Sequence, residues 1–377
     1  MTERDFDVVI YGATGFTGRQ AVEYFRRHAP ANLKWAIAGR DNERLAALEA
    51  GVPIVTVEPQ QQDSIDDLVR RTRVVLSTAG PFRLYSDRVV DACVRLGADY
   101  TDISGETARI RDLIDRHHAR AVSNRVRIVP FCGVSSAPAD LALMLLNAKL
   151  GDLVVAKGAY SVAGGTLNGG TIASISYAIS SGDAARERDV FLLGPHDRPP
   201  GPIERDPKQI HFDGDLRVWT APSPMGLSDT RAVRRSNVLQ GRDFAYQEYM
   251  AFESFFGALG FAMMIRVLNA VLAFAPTRRW LQKKFPPGHG PSQQVMDGGS
   301  ITLRAWGRTQ AGREAEVAVH AKGDPGNRVT VMCVCEAALA LAADTRALPD
   351  AFGVLTPSVA LGDVMLKRLQ ARGVQIS

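Results

Sequence analysis

A chain of 377 residues with 46% hydrophobic and 23% charged side chains is long enough for two sizeable cores and has the balance of a folded globular protein. Its formal charge of +5 is dispersed, with no dense Lys/Arg stripe interleaved with aromatics, so no nucleic-acid partner is expected. Cys93, Cys132, Cys333 and Cys335 form neither a Cys-x-x-Cys pair nor a Cys/His cluster with zinc spacing, and residues 1–7 lack the features of a signal peptide; the expectation is a cytoplasmic protein with reduced thiols and no metal site.

Residues 6–11 are a short β-branched run stopped by Gly12, and from Phe16 the apolar residues Ala21, Val22 and Phe25 recur at helical spacing. Strand, glycine turn and helix is the order that a dinucleotide pyrophosphate requires. In Gly12-Ala13-Thr14-Gly15-Phe16-Thr17-Gly18, Gly12 and Gly15 let the backbone turn and approach the phosphates. The helix start, with Thr14, Phe16 and Thr17 around it, offers free N–H groups, and Gly18 lets helix and strand pack closely. Residues 35–39 read as a second strand ending in Arg40, where an acidic residue would grip the ribose hydroxyls of NAD. A guanidinium there suits a 2′-phosphate, with Arg19 nearby, so NADP is favoured over NAD; Asp41 follows directly as a possible ribose contact.

Strands at 52–57, 74–79, 100–103 and 126–131 alternate with helices at 64–71, 87–96 and 107–123, the pattern of a doubly wound parallel sheet in a Rossmann-type domain over residues 1–135. Ligands bind such sheets beyond the C-terminal strand ends. Thr78-Ala79-Gly80-Pro81-Phe82, Ser104-Gly105-Glu106 and Cys132-Gly133 therefore line the expected cofactor cleft, with Ala79, Gly80, Pro81, Cys132 and Gly133 as contacts.

After a helix at 139–150, residues 153–162 read as a strand, 164–171 as a glycine-rich loop and the stretch through Ile175 and Tyr177 as a helix. Residues 182–223, rich in proline and charge, read as a long surface excursion. Residues 300–307, 315–321 and 329–335 alternate like strands of an antiparallel sheet, with Cys333 and Cys335 on one face. The overall class is α/β: the Rossmann-type domain, a second α+β domain at 136–345 for substrate or homodimer contact, and a helical return at 346–377. Residues 251–275 are almost wholly apolar, broken by Glu253, Arg266 and Asn269 and followed by Arg278, Arg279, Trp280, Lys283 and Lys284. Arg266 and the two glycines argue against a membrane span. Two readings stand: a helix lying at the inner face of the plasma membrane, or one buried in a core or dimer interface.

No tyrosine has lysine four residues later, so the Tyr-x-x-x-Lys mechanism of short-chain dehydrogenases is excluded. His-Glu-x-x-His, Gly-x-Ser-x-Gly and Walker motifs are also missing. Instead the chain resembles the saccharopine dehydrogenase-like oxidoreductases, in particular the trans-acting enoyl reductases. The likeness rests on Gly12 to Gly18, Ala38-Gly39-Arg40, Gly80-Pro81-Phe82 with Tyr85, Tyr100-Thr-Asp-Ile-Ser-Gly-Glu106, and Pro130-Phe-Cys-Gly133 followed by Pro138-Ala-Asp140. It continues in Gly288-His-Gly-Pro-Ser292 and Leu355-Thr-Pro-Ser-Val-Ala-Leu-Gly-Asp363. The resemblance implies NADP(H)-dependent reduction of a carbon–carbon double bond in a small-molecule or carrier-bound polyketide or fatty acyl substrate, in lipid biosynthesis. Gly133-Val-Ser-Ser-Ala137 departs from the family, which often has a bulkier and more acidic stretch there.

For such a reaction Tyr85 is the first candidate as proton donor or carbonyl partner, with Glu106 and Asp140 behind it; a merely packing tyrosine is the alternative. Two other functions stay open. An amino-acid or imine dehydrogenase would need a basic pocket, for which Arg83, Arg231 and Arg234 are available, and a non-catalytic NADP sensor would need only the cofactor site.

Overall fold

The computed structural model describes residues 4–165, 168–194, 198–286 and 288–377; Thr166 and Leu167 of the expected glycine-rich loop, and 195–197 of the expected excursion, lie outside the described residues. The first half alternates strand and helix: β1 (Phe6–Tyr11), α1 (Phe16–His28), β2 (Trp35–Gly39), α2 (Asn42–Ala46), β3 (Ile54–Thr56), α3 (Gln62–Arg70) and β4 (Thr72–Ser77). Then come α4 (Phe82–Tyr85), α5 (Asp87–Leu96), β5 (Asp99–Asp102), α6 (Thr107–Ser123), β6 (Arg127–Val129) and α7 (Ala137–Leu150). In the second half, β7 (Leu153–Ala163), α8 (Gly169–Ser181), α9 (Asp183–Arg186), β8 (His211–Asp213), β9 (Val218–Pro222), α10 (Gly226–Leu239) and β10 (Ala245–Phe252) lead to α11 (Phe255–Ala273) and α12 (Ala275–Lys284). The chain ends with α13 (Gln293–Asp297), β11 (Ser300–Thr309), β12 (Glu314–Lys322), α14 (Thr330–Ala343), β13 (Gly353–Val354), α15 (Pro357–Ala371) and β14 (Gln375–Ile376).

The first sheet is parallel throughout, in the order β13-β6-β5-β4-β1-β2-β3, which is the Rossmann-type doubly wound arrangement. Its central strand shows why the apolar run is continuous: Val8 and Ile10 enter one core and Val9 and Tyr11 the other, so both faces are covered. The second sheet runs β14-β12-β11-β7-β10-β9-β8 and is mixed, antiparallel except where β7 pairs with β10 in parallel. Residues of both sheets and of α7, α14 and α15 share one hydrophobic core.

Two expectations fail for identifiable reasons. Residues 329–335 belong to α14 and the turn before it, not to a strand, so Cys333 and Cys335 point about 200° apart. That helix is buried on nearly every side, which erases the helical period that exposed polar residues would print on the sequence. Residues 182–223 hold α9, the edge strand β8 and its neighbour β9, while α10 and β10 beyond them escaped the pattern altogether. Of the readings left open for residues 251–275, burial in this chain's own core is not what the structure shows: along α11 only Ala258 and Leu272 are buried.

Candidate cofactor and active site

The phosphate turn is built on close backbone contacts. Gly12 has φ +85°, and a Cβ there would stand 2.9 Å from the Ala79 amide nitrogen, against the turn that follows β4. Gly15 begins α1, with its N–H donating to the Gly12 carbonyl at 3.0 Å, and a Cβ on it would meet only that oxygen at 3.3 Å. At Gly18 a Cβ would lie 2.2 Å from the same carbonyl oxygen, so helix and turn are in direct contact. The first N–H groups of α1, at Phe16 and Thr17, have no partners within the helix and face the turn where an anion is best held. Together the residues fit a dinucleotide pyrophosphate.

Segment 288–290 roofs this turn. Arg19 donates through Nη1 to the Thr14 carbonyl at 2.9 Å and through Nη2 to Gly288 at 3.0 Å, which commits it to the protein. The Phe16 ring packs on Gly290, where a Cβ would be 2.2 Å from Cζ. Arg40, by contrast, is exposed and makes no hydrogen bond or ion pair among the described residues. Asp41 accepts the Arg44 N–H at 3.0 Å and caps α2. Burial pushes the neighbouring Tyr11 phenol up to about 12, with Arg40 pulling the other way.

Of the three catalytic candidates, Tyr85 is half-buried at the end of α4, its phenol within electrostatic reach of Tyr11 and without a hydrogen-bond partner among the described residues. Glu106 accepts from the Phe82 and Arg83 amides at 3.0 and 3.2 Å and from Ser174 Oγ at 3.0 Å. Its carboxylate thus pins the Ala79-Gly80-Pro81 turn and ties it to α8. Asp140 is fully buried, accepting from Ser236 Oγ and from the Ser358 amide at 2.7 Å, and joins α7, α10 and α15. That network ties three helices together around Asp140, whose carboxyl burial pushes up. Cys132 is buried, its thiol donating to the Val129 carbonyl at 3.5 Å and pushed up by burial, while Gly133 packs on Ile103 and Thr330.

The residues that sequence reasoning missed lie just beyond Gly133. Ser135 and Ser136 donate to Asp229 Oδ1 at 2.8 and 3.2 Å, and Tyr160 donates to Oδ2 at 3.2 Å. Asp229 is hydrogen-bonded to Glu248, which also accepts from Ser223 at 2.8 Å and Tyr246 at 3.1 Å. Both carboxyls are fully buried, and burial pushes both up. Ser228, one residue before Asp229, would lie 2.9 Å from a Cβ on Gly105, so the pair abuts the ends of both β5 and β6. The one sequence signal was the small, polar stretch at 133–137, which marks the place but not a partner more than ninety residues away.

The basic residues offered for substrate carboxylates are all engaged. Arg231 forks onto Asp206 and donates to the Asp189 and Glu187 carbonyls. Arg234 donates to the Val190, Glu204 and Tyr246 carbonyls, and Arg83 pairs with Asp112 and Asp183. An apolar void of about 20 Å³ among Leu141, Tyr160, Leu303, Val319 and Leu366 has room for about one water.

Comparison with known proteins agrees with this geometry. Residues 8–129 match the saccharopine dehydrogenase NADP binding domain. A Mycobacterium tuberculosis protein provisionally named a trans-acting enoyl reductase is 34% identical over 414 residues, covering 100% of this chain and 98% of its own. A trans-acting enoyl reductase of Mycobacterium bovis is 31% identical over 417 residues, covering 99% and 97%. Apo saccharopine dehydrogenase (L-Glu forming) from Saccharomyces cerevisiae shares the fold, with a TM-score of 0.58 at 10% identity over 98% of this chain and 99% of that one. Glycine turn, parallel sheet and matched cofactor domain define an NADP-binding oxidoreductase. The chain belongs to the saccharopine dehydrogenase-like oxidoreductase family, together with relatives that carry the name trans-acting enoyl reductase.

Proposed function

We propose that the chain is an NADPH-dependent enoyl reductase acting on a polyketide or fatty acyl thioester held by a separate carrier, in lipid biosynthesis. The observation that carries this reading is the reach of the likeness: relatives named for enoyl reduction align over the whole chain, second sheet included, and not over the cofactor domain alone. The engagement of Arg83, Arg231 and Arg234 within the protein favours it over an imine dehydrogenase, which must hold substrate carboxylates. Purified protein given NADPH with enoyl thioesters or with imino acids is expected to oxidise NADPH with the thioesters only. Turnover of imino acids alone, or of neither, replaces this reading with the dehydrogenase or the sensor.

NADPH, when bound, supplies the hydride. The chain then has to polarise the thioester carbonyl as the enolate develops and deliver a proton to the α-carbon. Tyr85, whose phenol has no partner among the described residues and stands beside the turn after β4, is assigned to that task. Tyr85→Phe is expected to lower kcat about a hundred-fold with NADPH affinity unchanged; wild-type turnover in the variant removes Tyr85 from the mechanism.

The Arg40 guanidinium at the end of β2, unpaired among the described residues, supports NADP over NAD. Arg40→Ala is expected to weaken NADPH binding by about 1.5 to 3 kcal/mol, the scale of a charged hydrogen bond, and to leave NADH binding as it was. Titration of both cofactors checks this, and equal losses contradict it.

A further inference from the structure

We propose that α11 and α12 form a membrane-docking surface that lies in the interfacial plane of an anionic bilayer. This goes beyond the enoyl-reductase reading and does not depend on it. Helix α11 is attached to the second sheet along one narrow side, where Phe255 meets Trp219 and Phe261 meets Phe252, both at 5.2 Å between ring centres. The other side is bare. Phe256 is 81% exposed, Val267 61%, Met264 56% and Met263 51%. With about 100° per residue, Phe256, Met263, Val267 and Ala270 fall in a strip roughly 60° wide opposite buried Ala258 and Leu272. A continuous apolar strip of this length is a binding surface by ordinary surface statistics.

Charge identifies the occupant. Residues 255–284 contain Arg266, Arg278, Arg279, Lys283 and Lys284 and no acidic residue. Arg278 caps α11 by donating to the Leu272 carbonyl at 2.8 Å, which leaves Arg266, Arg279, Lys283 and Lys284 exposed. Arg266 stands about 70° round the helix from the centre of the strip, where its long side chain reaches headgroups if the helix lies flat. In a helix crossing the bilayer the same residue would be in hydrocarbon. Trp280 is 57% exposed beside Lys284, an aromatic and a cation together at the level expected of an interface. A second copy of the chain fits less well, since an isologous dimer through α11 brings two acid-free cationic margins towards each other. The segment after α12 runs on to Gly288 and Gly290 over the phosphate turn, so the docked face adjoins the cofactor cleft.

The test is co-sedimentation of the full-length protein with vesicles of phosphatidylcholine alone or mixed with phosphatidylglycerol. Binding to the anionic vesicles is expected at low salt, weakening as salt rises. The triple variant Arg279→Gln, Lys283→Gln, Lys284→Gln should lose about a hundred-fold in affinity, and the pair Phe256→Ser, Val267→Ser should lose binding as well, both with the wild-type melting temperature. The proposal is overturned if wild-type protein stays in the supernatant at low salt, or if it forms a dimer that the serine pair disperses while vesicle binding is untouched.

Discussion

Gly18→Ala is expected to destabilise the protein by about 3 kcal/mol, the upper end of what overpacking costs, and to abolish NADPH binding in the same variant. The added methyl meets the Gly12 carbonyl oxygen at 2.2 Å and two Ala13 backbone atoms at 2.8 Å, none of which can rotate away as a side chain would. Alanine's better helix propensity returns about 1 kcal/mol at most, so the clash decides the sign. Gly15→Val is the matching control. Its Cβ meets only one oxygen, at 3.3 Å, so the fold should survive while the side chain fills the space of the pyrophosphate. Chemical denaturation and NADPH titration separate the two: Gly18→Ala loses stability and binding, Gly15→Val loses binding alone. A stable Gly18→Ala, or a Gly15→Val that binds NADPH normally, contradicts the assignment of this turn.

Glu248→Gln is expected to raise stability at neutral pH relative to the wild type, by an amount that shrinks as pH falls. Burial and the adjacent Asp229 raise the Glu248 pKa well above its ordinary 4.5 in the folded protein. Below the unfolded value both states hold the proton and the group costs nothing; above it only the folded state binds the proton, and stability is lost as pH rises towards the folded value. The slope is about 1.4 kcal/mol per pH unit over the range in which only the folded state holds the proton, so the native carboxyl carries a cost that grows with pH and that glutamine does not. Glutamine also keeps a donor for Asp229 and an acceptor for Ser223 or Tyr246. Asp66 and Asp112, whose pKa values are lowered, act with the opposite sign but are common to both proteins and cancel in the difference. Urea unfolding at pH 5 and 7 checks the result; variant and wild type falling in parallel would mean that Glu248 is ionised in the fold.

How much was legible in the sequence depended on whether the signal was local. The glycine turn, the first six parallel strands and the helices at 87–96 and 107–123 were readable because glycine spacing and apolar period are properties of a few consecutive residues, whereas the two-residue β13 from the expected helical return was not. Helix α14 was hidden because residues such as Val331, Val334 and Leu339 are buried on all sides and leave no period to read. Helix α10 was hidden for the opposite reason. Arg231, Arg234 and Arg235 look like a solvated face, yet each is buried and donates to the surrounding chain. The Asp229 and Glu248 pair depends on contacts between distant segments, and no spacing rule joins Ser135 to Asp229.

The central claim is that this chain moves a hydride from NADPH to an enoyl carbon, and isotope transfer tests it most directly. NADPH carrying deuterium at its transferable position is incubated with the protein and an enoyl thioester, and the product is read by mass spectrometry and NMR. The account predicts one deuterium at the β-carbon and a solvent proton at the α-carbon. A saturated product without deuterium at the β-carbon, or no reduced product at all, would contradict it.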